Sequence, residues 1–209
     1  MLYYYTYNEF IQELNTGGVL KKLVLFIVCL FASSASYAET STFRFGLMPT
    51  ISVYNLNDPS GPTDQGNNLS LLSGVMFADA GRDSRFMLQA SYDKFTLNAT
   101  SVNVGQDVTR GAGSIAYQTM FRLSRNLKPW FGFGIGEASE TYKNRYALVG
   151  GFSNPLTPSD RSVNDLFVLI DASMEWEVSR TLVMGFNVQY DQPTGDSSRA
   201  LKMGVYLTF

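Results

Sequence analysis

The chain has 209 residues, a formal net charge of −2, a single cysteine and no histidine. There is no basic run of the kind that marks a nucleic-acid footprint, the lone cysteine rules out a disulfide scaffold, and the commonest general base near neutral pH is missing. With 45% hydrophobic and only 16% charged residues, the chain also lacks the composition of a disordered one.

Residues 1–18, MLYYYTYNEFIQELNTGG, carry Glu9 and Glu13 but no Lys or Arg. They fit neither a fold nor the short basic start of an export signal, and are read as a mis-annotated upstream extension, with translation expected to begin at Leu20 or Val19. Residues 19–38 have the layout of a signal peptide: Lys21 and Lys22, an apolar run over 23–32, then Ser36-Tyr37-Ala38, which places cleavage between Ala38 and Glu39. That run is far short of the ~20 residues a membrane-spanning helix needs. Cys29, preceded by Val28 and followed by further apolar residues, reads as a small hydrophobe rather than a lipid attachment site.

Residues 39–209 suit one domain, and eight runs of alternating polarity follow one another along them. TFRFGLMPTISVY sets Phe43, Phe45, Leu47, Pro49, Ile51 and Val53 against Arg44, Gly46, Met48, Thr50 and Ser52. LSLLSGVMFA gives an apolar face of Leu69, Leu71, Val75 and Phe77, and RFMLQASY one of Phe86, Leu88, Ala90 and Tyr92. SIAYQTMFRL sets Ile115, Tyr117, Phe121 and Leu123 against Ser114, Ala116, Gln118 and Arg122, and KPWFGFGIG sets Phe131, Phe133 and Ile135 against three glycines. DLFVLIDASMEWEV sets Leu166, Val168, Ile170, Ala172, Met174 and Trp176 against Asp171, Ser173, Glu175 and Glu177. TLVMGFNVQY presents Leu182, Met184, Phe186, Val188 and Tyr190. The terminal RALKMGVYLTF presents Leu201, Met203, Val205, Leu207 and Phe209 against Lys202, Gly204, Tyr206 and Thr208.

Connections after even-numbered runs are tight and those after odd-numbered runs are long, the alternation of a transmembrane barrel with short turns at one rim and loops at the other. The bulky face is continuous, while the opposite face mixes charges with Gly, Ala, Ser and Thr. The bulky residues are therefore expected outside, against lipid. Backbone groups in hydrocarbon must all be paired, so the sheet has to close on itself and strand eight must pair with strand one to its last residue. The expected fold is all-β: an eight-stranded antiparallel up-and-down transmembrane barrel. Phe43, Phe121, Phe131, Trp176 and Phe209 would ring the short-turn rim, with Tyr92 and Tyr190 near the loop rim. Strands three to six are expected to continue past the membrane as a protruding sheet, the third towards Gly105 and the fifth towards Gly150. Parity slips, marking bulges, are expected near Asp93-Lys94 and at Gly111-Ala112-Gly113.

The terminal LKMGVYLTF pattern, the PWFGFGIG strand and the rhythm of turns and loops resemble the OmpA/OmpX-type small outer-membrane barrels of Gram-negative bacteria over residues 39–209. The resemblance implies a location in the bacterial outer membrane, and partners consisting of outer-membrane lipid, the assembly machinery and an unidentified surface molecule. It also makes the alternating Leu201, Met203, Val205, Leu207 and Phe209 an assembly signal. The inward charges Arg44, Arg122, Asp171, Glu175, Glu177 and Lys202 form a structural salt-bridge network rather than a catalytic pair, because an eight-strand lumen is just wide enough to be filled by side chains and charges buried there must pair. Arg44, Arg122 and Glu175 are expected near one another. No cofactor, metal or catalytic residue is expected. The functional expectation is a non-enzymatic, monomeric surface barrel whose loop-side sheet serves adhesion or protein contact and envelope integrity; the alternative is a small channel or carrier for apolar or small solutes.

Overall fold

The computed structural model describes residues 43–56, 64–70, 72–100, 103–121, 128–149, 152–156, 158–179 and 182–209. The upstream extension, the signal segment with Ala38 and Glu39, and Leu71, Arg122 and Leu123 lie outside the described residues.

The strands are β1 (Phe43–Leu47), β2 (Thr50–Leu56), β3 (Asp64–Ser70), β4 (Leu72–Gly81), β5 (Ser84–Leu97), β6 (Gly105–Met120), β7 (Lys128–Val149), β8 (Phe152–Leu156), β9 (Arg161–Glu177), β10 (Val183–Pro193) and β11 (Arg199–Thr208). Every pairing is antiparallel. β1 with β2, and β3 with β4, each make one strand of the wall, and β8 is a short addition to the far end of β7. The result is a ring of 8 strands, closed where β11 pairs with both β1 and β2.

Alternation is what holds this register. In β11 the outward Leu201, Met203, Val205, Leu207 and Phe209 are exposed, while Ala200, Lys202, Gly204, Tyr206 and Thr208 between them are buried. A slip of one residue would exchange the two sets. The same division runs through β5, β6, β7, β9 and β10, so a belt of Phe, Leu, Ile, Val and Tyr side chains faces out.

The first wall strand is interrupted at Met48-Pro49. Pro49 has no N–H to donate, so the ladder breaks there, yet parity survives and Ile51 and Val53 still face outward. The Met48 N–H instead donates to the Ser73 carbonyl at 2.9 Å. At the closing seam Gly46 is required by contact, because a Cβ on it would lie 2.0 Å from the Leu207 carbonyl oxygen.

The second wall strand departs from expectation. In β3 the even-numbered Gly66, Asn68 and Ser70 face inward, whereas in β4 the inward residues are Ser73, Val75 and Phe77. Parity therefore changes between β3 and β4, and Val75 and Phe77, expected outside, are buried in the lumen. Conversely, the slips expected at Asp93-Lys94 and Gly111-Ala112-Gly113 do not occur. β5 and β6 pair without interruption from Ser84↔Thr119 to Leu97↔Gln106.

β5 ends at Leu97, short of the expected Gly105, which instead opens β6, and β7 runs on to Val149. β5, β6, β7 and β9 thus extend beyond the last outward apolar row as a four-stranded sheet. Its inner face has its own core, where Tyr54, Leu56, Phe95, Leu97, Val108 and Tyr142 pack together and the Tyr54 and Phe95 rings stack at 5.2 Å.

Candidate functional site: the filled lumen and the loop-end sheet

The lumen contains two layers of charge. Towards the short-turn end the hub is Glu175 on β9. Its Oε1 accepts from Arg85 Nη1 at 2.5 Å, Tyr206 OH at 2.9 Å and Arg44 Nη1 at 3.3 Å, and its Oε2 accepts from Trp130 Nε1 at 3.1 Å. The donors come from β5, β11, β1 and β7, so alternation on five strands is needed to bring the group together. The Arg85 guanidinium lies between the Phe77 and Trp130 rings, 3.9 Å from each centroid. Its Nε donates to Gln118 Oε1 at 2.5 Å, and Gln118 Nε2 donates to Asp171 Oδ1 at 2.6 Å.

Towards the loop end, Arg110 donates from Nε to Glu140 Oε1 at 3.0 Å and from Nη2 to Asp191 Oδ2 at 3.4 Å. Lys202 Nζ lies 2.8 Å from the same Asp191 oxygen, and Gln189 Nε2 donates to Asp191 Oδ1 at 2.5 Å. Glu140 also accepts from Tyr142 OH, from the Ser198 N–H and from Ser198 Oγ at 3.0 Å. Beside this group Asp93 accepts from Tyr54 OH at 2.5 Å and from Asn68 Nδ2 at 3.0 Å.

Of the residues singled out from sequence, Arg44, Asp171 and Glu175 thus lie in the short-turn layer and Lys202 in the loop-end layer. Glu177 is exposed at the short-turn rim rather than inside. The pairing of Arg44 with Glu175 is direct, while Arg122 lies outside the described residues. Arg85, Asp93, Arg110, Glu140 and Asp191 were not singled out, although all sit on inward positions of alternating strands. The interior is also less small-sided than expected, since Met48, Phe77, Met87, Phe167, Leu169 and Tyr206 pack there beside the charges. The glycines of β7 make that possible: a Cβ on Gly136 would lie 2.2 Å from the Phe167 ring.

Chemically, the arrangement pairs charge more than it activates it. Glu175, Glu140 and Asp191 are each held by two or more donors, and an occupied, hydrogen-bonded carboxylate is a poor base, while Asp171 is held by Gln118 alone and its Oδ2 is buried without a hydrogen-bond partner among the described residues. Among the described residues no group of three or more His, Cys, Asp or Glu side chains is placed to hold a metal ion.

The outward face of the loop-end sheet is polar. Lys94, Thr109, Thr141 and Ser162 stand side by side across β5, β6, β7 and β9, and Thr96, Asp107 and Lys143 form the next row. Asp107 accepts from Asn144 Nδ2 at 2.6 Å and from Thr96 Oγ1 at 2.7 Å. Those two hydrogen bonds, Asn144 first, hold its carboxyl below the ordinary aspartate range. Asn144 itself has a φ of 52°, which Asn tolerates well, and sits where the β6–β7 register shifts.

The wall has one seam of a different kind. Among the described residues no backbone ladder joins β3 to β5. The two are tied by side chains, with Ser70 Oγ donating to the Tyr92 carbonyl at 3.1 Å and Asn68 reaching Asp93.

The architecture is similar to that of Neisserial surface protein A, with a TM-score of 0.55 at 14% identity, covering 81% of this chain and 98% of that one. OprG from Pseudomonas aeruginosa aligns with a TM-score of 0.49 at 8% identity over 79% of this chain and 92% of its own, and Ail of Yersinia pestis with 0.48 at 10% over 81% and 97%. No protein-family model matches the sequence, and none of the curated proteins does. At these identities the likeness is one of fold: the chain has the eight-stranded barrel of the small outer-membrane proteins.

Proposed function

We propose that this protein is a non-enzymatic integral barrel of the bacterial outer membrane, whose loop-end sheet contacts a surface partner in adhesion or protein contact and contributes to envelope integrity. The observation that carries the reading is the continuation of β5, β6, β7 and β9 in register beyond the apolar belt, with a packed inner face and a polar outer one. Ordering a backbone costs roughly 1–2 kcal/mol per residue, so a sheet held rigid outside the membrane is a poor design for a mere connection and a good one for a preorganised contact surface. The lumen, filled by two charged layers and by Met48, Phe77, Met87, Phe167, Leu169 and Tyr206, supports the same reading.

The rival is a small carrier or channel for apolar or small solutes, and the seam between β3 and β5 favours it, since a wall joined there by side chains opens at lower cost than a hydrogen-bonded one. Two measurements separate them. Purified protein in planar bilayers should pass no steady current, and cells displaying it should bind host or bacterial surfaces, with binding lost when Thr109 and Thr141 are both replaced by Glu. Steady conductance together with unchanged surface binding would favour the carrier.

A further inference from the structure

On the outward face of β6, β7 and β9, a groove of about 630 Å³ is bordered by Tyr117, Phe133, Ile135, Val168 and Ile170 and floored by Gly134. Its size falls within the roughly 300–1,000 Å³ typical of small-molecule sites. It lies in the apolar belt, so its lining alone says only that hydrocarbon can fill it. What sets it apart is the residue at its loop-end rim. Glu137 follows Ile135 on the same outward face, about 7 Å further along the strand, and pairs with Gly113 on β6 and Leu166 on β9. Neither neighbour offers it a donor. Glu137 is half-buried, and its Oε2 is shut off from solvent with no hydrogen-bond partner among the described residues.

An unpaired carboxylate at the edge of an apolar belt is costly unless something supplies the missing donor. From this we infer that the groove and Glu137 form a site for one acylated membrane lipid whose headgroup carries a primary ammonium, its acyl chain lying in the groove and its ammonium donating to the carboxylate. The inference rests on the membrane location proposed above. Charge decides between headgroups: an anionic phosphate-glycerol head would be repelled, and a choline head has no N–H to donate.

The test uses the mature barrel in nanodiscs of equimolar phosphatidylethanolamine and phosphatidylglycerol with identical chains, with lipid retained after release counted by native mass spectrometry. Quenching of Trp176 by brominated acyl chains first reports on the membrane reading: without it, that reading fails. With it, the wild type should retain phosphatidylethanolamine about two- to fivefold over phosphatidylglycerol, the factor a partly exposed ion pair supplies. Glu137→Gln should bring the ratio to parity, and Val168→Trp, which fills the groove, should lower retention of both lipids, each variant keeping the heat-dependent gel mobility of a folded barrel. Equal retention by the wild type, a preference that survives Glu137→Gln, or a second copy of the chain retained in place of lipid would overturn the inference.

Discussion

Phe209 and Phe45 exchange a pair of backbone hydrogen bonds, Phe209 N–H to the Phe45 carbonyl at 3.0 Å and Phe45 N–H to the Phe209 carbonyl at 3.2 Å. The final residue of the chain is therefore part of the seam that closes the barrel. Deleting Phe209 should cost a folded barrel only about 1–3 kcal/mol, the net value of two hydrogen bonds. Insertion should suffer more, since the same residue ends the expected assembly signal. Outer-membrane levels of the deletion variant, set against the urea midpoint of the same variant refolded in detergent, separate the two effects. Normal levels with a lowered midpoint would show that the end acts as a seam alone.

The Glu175 hub predicts a thermodynamic asymmetry. Arg85→Met should destabilise the barrel by about 3–5 kcal/mol, because it leaves a buried carboxylate short of its nearest cation and removes two ring contacts. Adding Glu175→Leu should recover much of that loss, as a buried pair is often replaceable by apolar groups when both partners go. Urea unfolding of both single variants and the double variant measures the coupling. Strict additivity would show that the two residues do not act as a pair.

Asp107 predicts local pH dependence at the tip of the β5–β6 hairpin. Its folded-state pKa is depressed, chiefly by Asn144 and then by Thr96. The associated stabilisation is present above the pKa of an unfolded aspartate and is lost as pH falls through the lower folded value. Amide protection factors at 96–107 should therefore fall in the acid range below ordinary aspartate titration, while those at 86–90 stay constant. Asp107→Asn should remove the acid dependence.

The change of parity between β3 and β4 can be read optically. A tryptophan at Met76 should be quenched by brominated lipid, and one at Phe77 should not. The reverse would return Val75 and Phe77 to the outside of the barrel.

Most of the wall was legible from alternation, because apolar outward positions and polar or small inward ones differ in kind along β5, β7, β9 and β11. The second wall strand was not. In LSLLSG both parities carry leucine, so alternation does not locate a one-residue shift and places Val75 and Phe77 on the same face as Leu69. The loop-end charges were missed for a different reason. Arg110 and Asp191 fall in the long connections and read as solvated loop residues, whereas Asp93 falls at an expected bulge and Glu140 on the expected extension of the fifth strand, where an assumed slip of parity leaves the inward face unassigned. Arg85 opens the third run, RFMLQASY, where a single charge at a strand end beside a tight turn carries no sign that it points into the lumen. Alternation locates a face, but nothing in a linear pattern reports how strands are staggered around a ring, and it is the stagger that brings Arg110 to Glu140 and Asp191.

That stagger gives the Glu175 hub a consequence for how the chain reaches this state. Arg44, Arg85, Trp130 and Tyr206 come from four strands other than Glu175's own, and each meets the carboxylate only when its strand has the correct offset. Shift one strand by a single residue and its donor swings to the outer surface; shift it by two and the donor sits about 7 Å from the carboxylate. The apolar belt cannot detect the second error, because a two-residue shift preserves alternation. The lumen can, and the buried hub therefore serves as a vernier for the ring, distinguishing the one shear at which all four donors coincide from neighbours that would look equally acceptable to lipid.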